Sequence, residues 1–153
     1  MKFFITGIRR GLGKALYDIC DTTVDNLEEC DVFINCKHDG FEQVDLLYKA
    51  AKLNKKIINI GSRSSDGTVN RVLLYAVEKS ALDKANEQLY YQGVDTTIIK
   101  FGRFDSPRVD HGTKLKMSVE YCVSVVSWVV KQPYRVKELT VGPPVVRGPQ
   151  VVR

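Results

Sequence analysis

Residues 6–13 read TGIRRGLG, directly after the apolar run FFI at residues 3–5 and leading into KALYDIC at residues 14–20. Leu12, Ala15, Leu16 and Ile19 fall on one stripe at helical spacing, so a strand here turns through glycines into a helix that runs to about Cys20. The physics asks for those glycines. One allows a tight turn off the strand, and the others let backbone N–H groups and the helix N-terminus approach a pyrophosphate with no Cβ in the way. The stretch therefore predicts a sheet of βαβ units whose first loop faces an anionic ligand.

Moving outward, the alternation continues along the chain. DTTVDNLEEC carries Asp25 with Glu28 three residues on, the pattern of a capping box over a short helical turn. DVFIN reads as a strand, FEQVDLLYKAAKLNK as a helix, and KKIINIGS as a strand whose nearly continuous apolar run suits a sheet covered on both faces. A long helix is expected over about residues 71–92, then the strand VDTTIIKFG. Apolar positions 119, 122, 123, 126 and 130 place a helix within residues 118–131 despite the many valines. RVKELTVG is the last strand. The pattern predicts an α/β fold: a minimal Rossmann-like, doubly wound, mostly parallel sheet of about five strands flanked by helices. Residues 1–142 are read as one domain and residues 143–153 as an extended tail punctuated by Pro and Gly.

Composition narrows the function classes. The chain has 153 residues, 44% hydrophobic and 27% charged, which supports one core. A net charge of +5 favours an anionic partner, and because the basic residues are scattered, a small phosphate ligand is favoured over a nucleic-acid groove. No recognition-helix or aromatic-platform motif supports nucleic-acid binding. The four cysteines, Cys20, Cys30, Cys36 and Cys122, form no C-x-x-C pair and meet no His at metal spacing. They are read as core thiols of a cytoplasmic chain with no metal site. No apolar run approaches membrane-spanning length.

Three stretches, in this order, resemble the short-chain dehydrogenase/reductase family across nearly the whole chain. TGIRRGLG matches the family's T-G-x-x-x-G-x-G at Thr6, Gly7, Gly11 and Gly13, with Leu12 inside the turn. DVFINCKHDG is similar to the strand that ends in N-N-A-G: Asn35 holds the first Asn, while Cys36, Lys37 and His38 depart from the rest, and His38 is expected to face solvent. INIGSRSSDGTVNRVLLYAVEK places Ser62 at a strand end, then Tyr75 and Lys79, as the family places its catalytic Ser, Tyr and Lys. Residues i and i+4 share a helix face, so Lys79 can sit beside Tyr75. Tyr48 and Lys52 also satisfy Y-x-x-x-K, but no strand-end Ser precedes them at a matching distance, so they are read as the packed and solvated face of a helix. Phe101-Gly102 stands where the family usually has Pro-Gly, and Ser106 where it often has a Thr near the nicotinamide amide.

What the resemblance implies is an NADP(H)-dependent oxidoreductase that moves hydride between nicotinamide and a carbonyl or alcohol substrate. Tyr75 is the expected general acid, Ser62 the group that polarises the carbonyl, and Lys79 a holder of the nicotinamide ribose. Only seventeen residues separate Gly13 from Asp31, where the family fits a second strand, a helix and a third strand. In the family's strand numbering the expected order is thus 1-4-5-6-7, with the TTV segment as a stub beside strand 1, which otherwise needs covering by the tail or a second subunit. The acidic residue that would bind the ribose 2′-OH of NAD is missing, and Arg10, helped by Arg9, resembles the guanidinium that meets a 2′-phosphate, so NADP(H) is expected with NAD(H) possible. The helix before the Ser strand carries Gln43 and Asp45 where the family often has a proton-relay Asn. A homodimer or homotetramer is expected, and the alternative reading is a dinucleotide-binding regulator or structural subunit without turnover.

Overall fold

A computed structural model describes residues 1–66, 73–102 and 116–142. Five strands form one sheet: β1 (Phe3–Ile5), β2 (Val32–Asn35), β3 (Lys56–Ser62), β4 (Thr96–Phe101) and β5 (Glu138–Val141). They stand in the order β1-β2-β3-β4-β5, and every neighbouring pair is parallel. Four helices connect them: α1 (Gly11–Ile19), α2 (Glu42–Lys52), α3 (Leu74–Tyr91) and α4 (Val119–Lys131). This is the expected order once the family's strands 2 and 3 are removed.

Alternation along the strands divides the core in two. Val32, Ile34, Ile58, Ile60, Ile99 and Phe101 face Leu12 and Leu16 of α1 and Cys122, Val126 and Val129 of α4. On the opposite face Phe33, Ile57 and Ile98 meet Leu47 and Ala50 of α2 and Leu82, Ala85 and Leu89 of α3. Both faces of the sheet are therefore covered, which is why β2 and β3 carry adjacent apolar residues that face opposite sides. Cys30 and Cys122 are buried, Cys20 and Cys36 half-buried, and all four are free thiols. Burial pushes the Cys122 thiol up to about 12, so it packs as a small apolar group.

The stub is present. Thr23 makes an isolated parallel bridge to Phe3. The Phe3 N–H donates to Thr22 O at 3.0 Å and the Val24 N–H donates to Phe3 O at 2.8 Å, so the edge of β1 away from β2 is partly covered by the chain itself. Two local expectations change. The short turn after the stub is capped by Asn26, whose Oδ1 accepts from the Glu29 N–H at 2.9 Å, not by Asp25 with Glu28. Ile19 ends α1 at 57% exposed, because the helix stops before its last apolar position can turn inward. Among the described residues no helix is long and apolar enough to cross a membrane. The expected tail at residues 143–153 and Ser106 lie outside the described residues.

Candidate active site

In a parallel sheet the loops at the carboxyl ends of the strands gather at one rim. Thr6 ties two of them together: its Oγ1 accepts from the Cys36 N–H at 2.9 Å and the Lys37 N–H at 3.0 Å, joining the glycine loop to the loop after β2. Gly7 and Gly11 have φ of 74° and 65°, the left-handed region that favours glycine. Gly13 is required by contact: a Cβ there would lie 2.1 Å from the Gly7 carbonyl oxygen. α1 opens from Arg10, in extended conformation, with no side-chain cap and no acid in its first turn. Its first N–H groups are thus available to an anion, beside the exposed Arg9 and Arg10. Leu12 points away into the core. Gly102 follows β4, its N–H donating to Val141 O at 2.8 Å.

At the rim between β2 and β3, Lys79 reaches inward from α3. It is 3% exposed, and its Nζ donates to Gln43 Oε1 at 2.8 Å and to Ile60 O at 3.0 Å. The ammonium lies 5.7 Å from the centroid of the Tyr75 ring, one helical turn earlier. Tyr75 itself is exposed at the rim. Ser62 is the last residue of β3, two positions beyond the carbonyl that holds Lys79. Its Oγ accepts from the Ser64 N–H at 3.1 Å and its carbonyl accepts from Ser65 Oγ at 2.9 Å, so the short 3-10 turn Arg63–Asp66 starts as a hydroxyl-stapled loop. Tyr48 and Lys52, the competing pair, are exposed on α2.

Gln43, on the helix before the Ser62 strand, is the side chain that holds Lys79. Besides accepting from Lys79, it donates through Nε2 to Asn35 O at 2.8 Å and Ile60 O at 3.2 Å. From there a buried polar chain crosses the sheet. Asn35 Nδ2 donates to Gln43 O and to Asn59 Oδ1, Asn59 Nδ2 donates to Asn86 Oδ1 at 3.1 Å and Thr96 Oγ1 at 3.0 Å, and Asn86 Nδ2 donates to Lys137 O at 3.1 Å. Asn35 and Asn59 are also register partners on β2 and β3. Most of the buried polar atoms in this polar chain find a partner in the next residue, as an apolar surrounding demands. Asn35 is thus a structural tie as well as a candidate cofactor contact, and its Oδ1 is buried with no hydrogen-bond partner.

His38 corrects the expectation of a solvent-facing residue. Its side chain is 16% exposed, its Nε2 lies 3.4 Å from Glu78 Oε1, and its ring meets the Tyr75 ring edge-on at 4.7 Å. Burial first, and then the nearby Lys79 charge, lower its pKa below the ordinary 6.5, against an upward pull from Glu78. Sequence reasoning missed His38, Glu78, Asn59 and Asn86. For Asn59 a signal was available: an Asn inside a strand covered on both faces needs a buried partner. Gln43 likewise shares the inward stripe of Leu47 and Ala50. His38 carried no spacing signal, since the loop after β2 has no period.

No family model matches the sequence, and no curated protein matches it. Solved structures do match the fold. An alcohol dehydrogenase from the archaeon Thermococcus sibiricus, complexed with 5-hydroxy-NADP, aligns at 15% identity and TM-score 0.74 over 98% of this chain and 99% of its own. The closed form of serine dehydrogenase complexed with NADP+ aligns at 14% identity and TM-score 0.70 over 100% of this chain and 98% of its own. A short-chain dehydrogenase from Burkholderia cenocepacia in complex with NADP aligns at 14% identity and TM-score 0.70 over 92% of this chain and 87% of its own. With its glycine loop, parallel order and two-faced core, the chain has a shortened form of the short-chain dehydrogenase fold.

Proposed function

We propose that the protein is an NADP(H)-dependent oxidoreductase acting on a small carbonyl or alcohol substrate, with Ser62, Tyr75 and Lys79 as its catalytic residues. The observation that carries this reading is Lys79: a buried ammonium anchored by Gln43 and Ile60 O, one turn below a rim-exposed tyrosine. Lysines are rarely buried so fully.

The residues fit the cofactor. A Cβ at Gly13 would fill the space that lets the start of α1 approach the strand end, and the uncapped N–H groups of α1 suit a pyrophosphate. Thr6, Gly7, Gly11 and Gly13 would line the phosphates with the Leu12 backbone, while Arg9 and Arg10 would meet a 2′-phosphate. Asn35, Lys79 and Gly102 would contact the nicotinamide half. The bound cofactor supplies the hydride. Tyr75 gives its phenolic proton to the substrate oxygen in reduction. Ser62 holds that oxygen by a hydrogen bond as negative charge builds on it, and Lys79, held by Gln43, keeps a positive charge beneath the phenol.

The test is turnover by a Tyr75→Phe protein against a panel of ketones, diketones and aldehydes with saturating NADPH. The expected result is loss of activity with cofactor affinity nearly intact; a fully active variant overturns the assignment. The adenosine side, reduced to a one-residue bridge at Thr23, favours the second reading, a dinucleotide-binding regulator. Tight NADPH binding with no turnover across the panel would select it. Exposed Leu53, Val77 and Tyr91 on and beside α2 and α3 support assembly of copies through these helices, to be read by light scattering.

A further inference from the structure

The ring of Tyr75 is not held by its own helix alone. It is the second residue of α3, so little of the helix precedes it, and its ring meets the imidazole of His38 at 4.7 Å with 63° between planes. Glu78 stands three residues after Tyr75 on the same helix and is 10% exposed in its side chain. Residues three apart share a helix face, so the imidazole is wedged between the phenol and the carboxylate. With Nε2 at 3.4 Å from Glu78 Oε1, the carboxylate favours the ring proton on that nitrogen, and Nδ1 is buried with no hydrogen-bond partner among the described residues. A polar ring placed this way gains little from burial; it does hold a neighbouring ring.

We infer that His38, oriented by Glu78, is a positioning residue for Tyr75, fixing the phenol ring above Lys79. This rests on the assignment of Tyr75 proposed above. Among the described residues, the groups facing the imidazole are Tyr75, Glu78 and Lys79 from α3 and Gln43 from α2, with the exposed Lys37 and Asp39 on its own loop. At neutral pH the neutral ring adds no charge beside the Lys79 ammonium, which lies 5.7 Å from the centroid of the phenol ring. On acidification the ring takes a proton on Nδ1, tightens on Glu78 and adds a second positive charge to the cluster. The phenol therefore senses the protonation of His38 through contact and through charge.

The experiment needs no substrate. The chain is labelled with carbon-13 at the tyrosine Cζ, and the Tyr75 signal is assigned by its disappearance in Tyr75→Phe. In the wild-type protein that signal is expected to shift on acidification with a midpoint below 6.5, where the lowered His38 titrates. His38→Phe keeps an aromatic edge against Tyr75 and is expected to remove the midpoint while leaving the neutral-pH signal sharp. His38→Ala is expected to broaden or displace it. With whichever carbonyl of the panel is turned over, His38→Ala should lower kcat roughly ten- to hundredfold with KM little changed, and His38→Phe should restore most of it at neutral pH. A Tyr75 signal with no acid midpoint in wild type, or one that His38→Phe leaves unchanged, overturns the inference. Failure of the proposed function shows separately, as a Tyr75→Phe protein that turns over normally.

Discussion

Replacing Gly13 by alanine tests the tightest site among the described glycines. The new Cβ would lie 2.1 Å from the Gly7 carbonyl oxygen, 2.7 Å from its carbonyl carbon and 3.0 Å from Thr6 O. All three are backbone atoms of the exit from β1, so no side chain can swing aside. An ordinary contact begins at 3.4 Å, so the start of α1 must move out by about 1.3 Å, taking Leu12 and Leu16 with it. Overpacking of this kind costs about 1–3 kcal/mol, and an overlap with backbone alone belongs at the upper end. Opposing it, φ at Gly13 is not positive, so alanine suits the backbone and gains up to ~1 kcal/mol of helix propensity. The overlap wins by about 2 kcal/mol, which for a chain of this size lowers Tm by about 4–8 °C. Thermal unfolding followed by circular dichroism reads the shift, and calorimetric titration with NADPH should show binding weakened in parallel. Gly93→Ala is the reference: φ there is +95° with nothing within 4 Å of the new Cβ, so it carries backbone strain without overlap and leaves the loop alone. A Gly13→Ala protein that melts at or above the wild-type temperature would refute the close-packing argument.

The buried polar chain makes a second prediction. Asn59→Ala removes one hydrogen bond from each of Asn35, Asn86 and Thr96, and should cost about 3 kcal/mol in urea unfolding at about 1 kcal/mol a bond, with Asn35 still bonded to Gln43 O and Thr96 to Asn86; a loss below about 0.5 kcal/mol would mean that water or repacking replaces those bonds. Arg10→Ala should weaken NADPH binding roughly ten- to hundredfold and NADH far less, because only the former carries the phosphate the guanidinium would meet. Equal losses for the two would remove the 2′-phosphate from the reading of TGIRRGLG.

Local sequence determined the elements and most of their order. The glycines of residues 6–13 demand a strand that turns at once into a helix, because the positive φ of Gly7 and Gly11 and the crowding at Gly13 admit little else. The adjacent apolar residues of β2 and β3 (VFI, IINI) require cover on both faces, and the seventeen residues between Gly13 and Asp31 leave no room for two further strands. The i, i+4 spacing of Tyr75 and Lys79 put them on one helix face. Tertiary structure alone decided what surrounds them. Asn35, Gln43, Asn59, Asn86 and His38 come from five separate elements or loops, and only the parallel register and the packing of α2 and α3 on one face bring them to Lys79 or to one another. Helix and strand periods are set by the backbone over a few residues and can be read along the chain. A buried hydrogen-bond network is set by which elements meet, and that is a property of the folded chain as a whole.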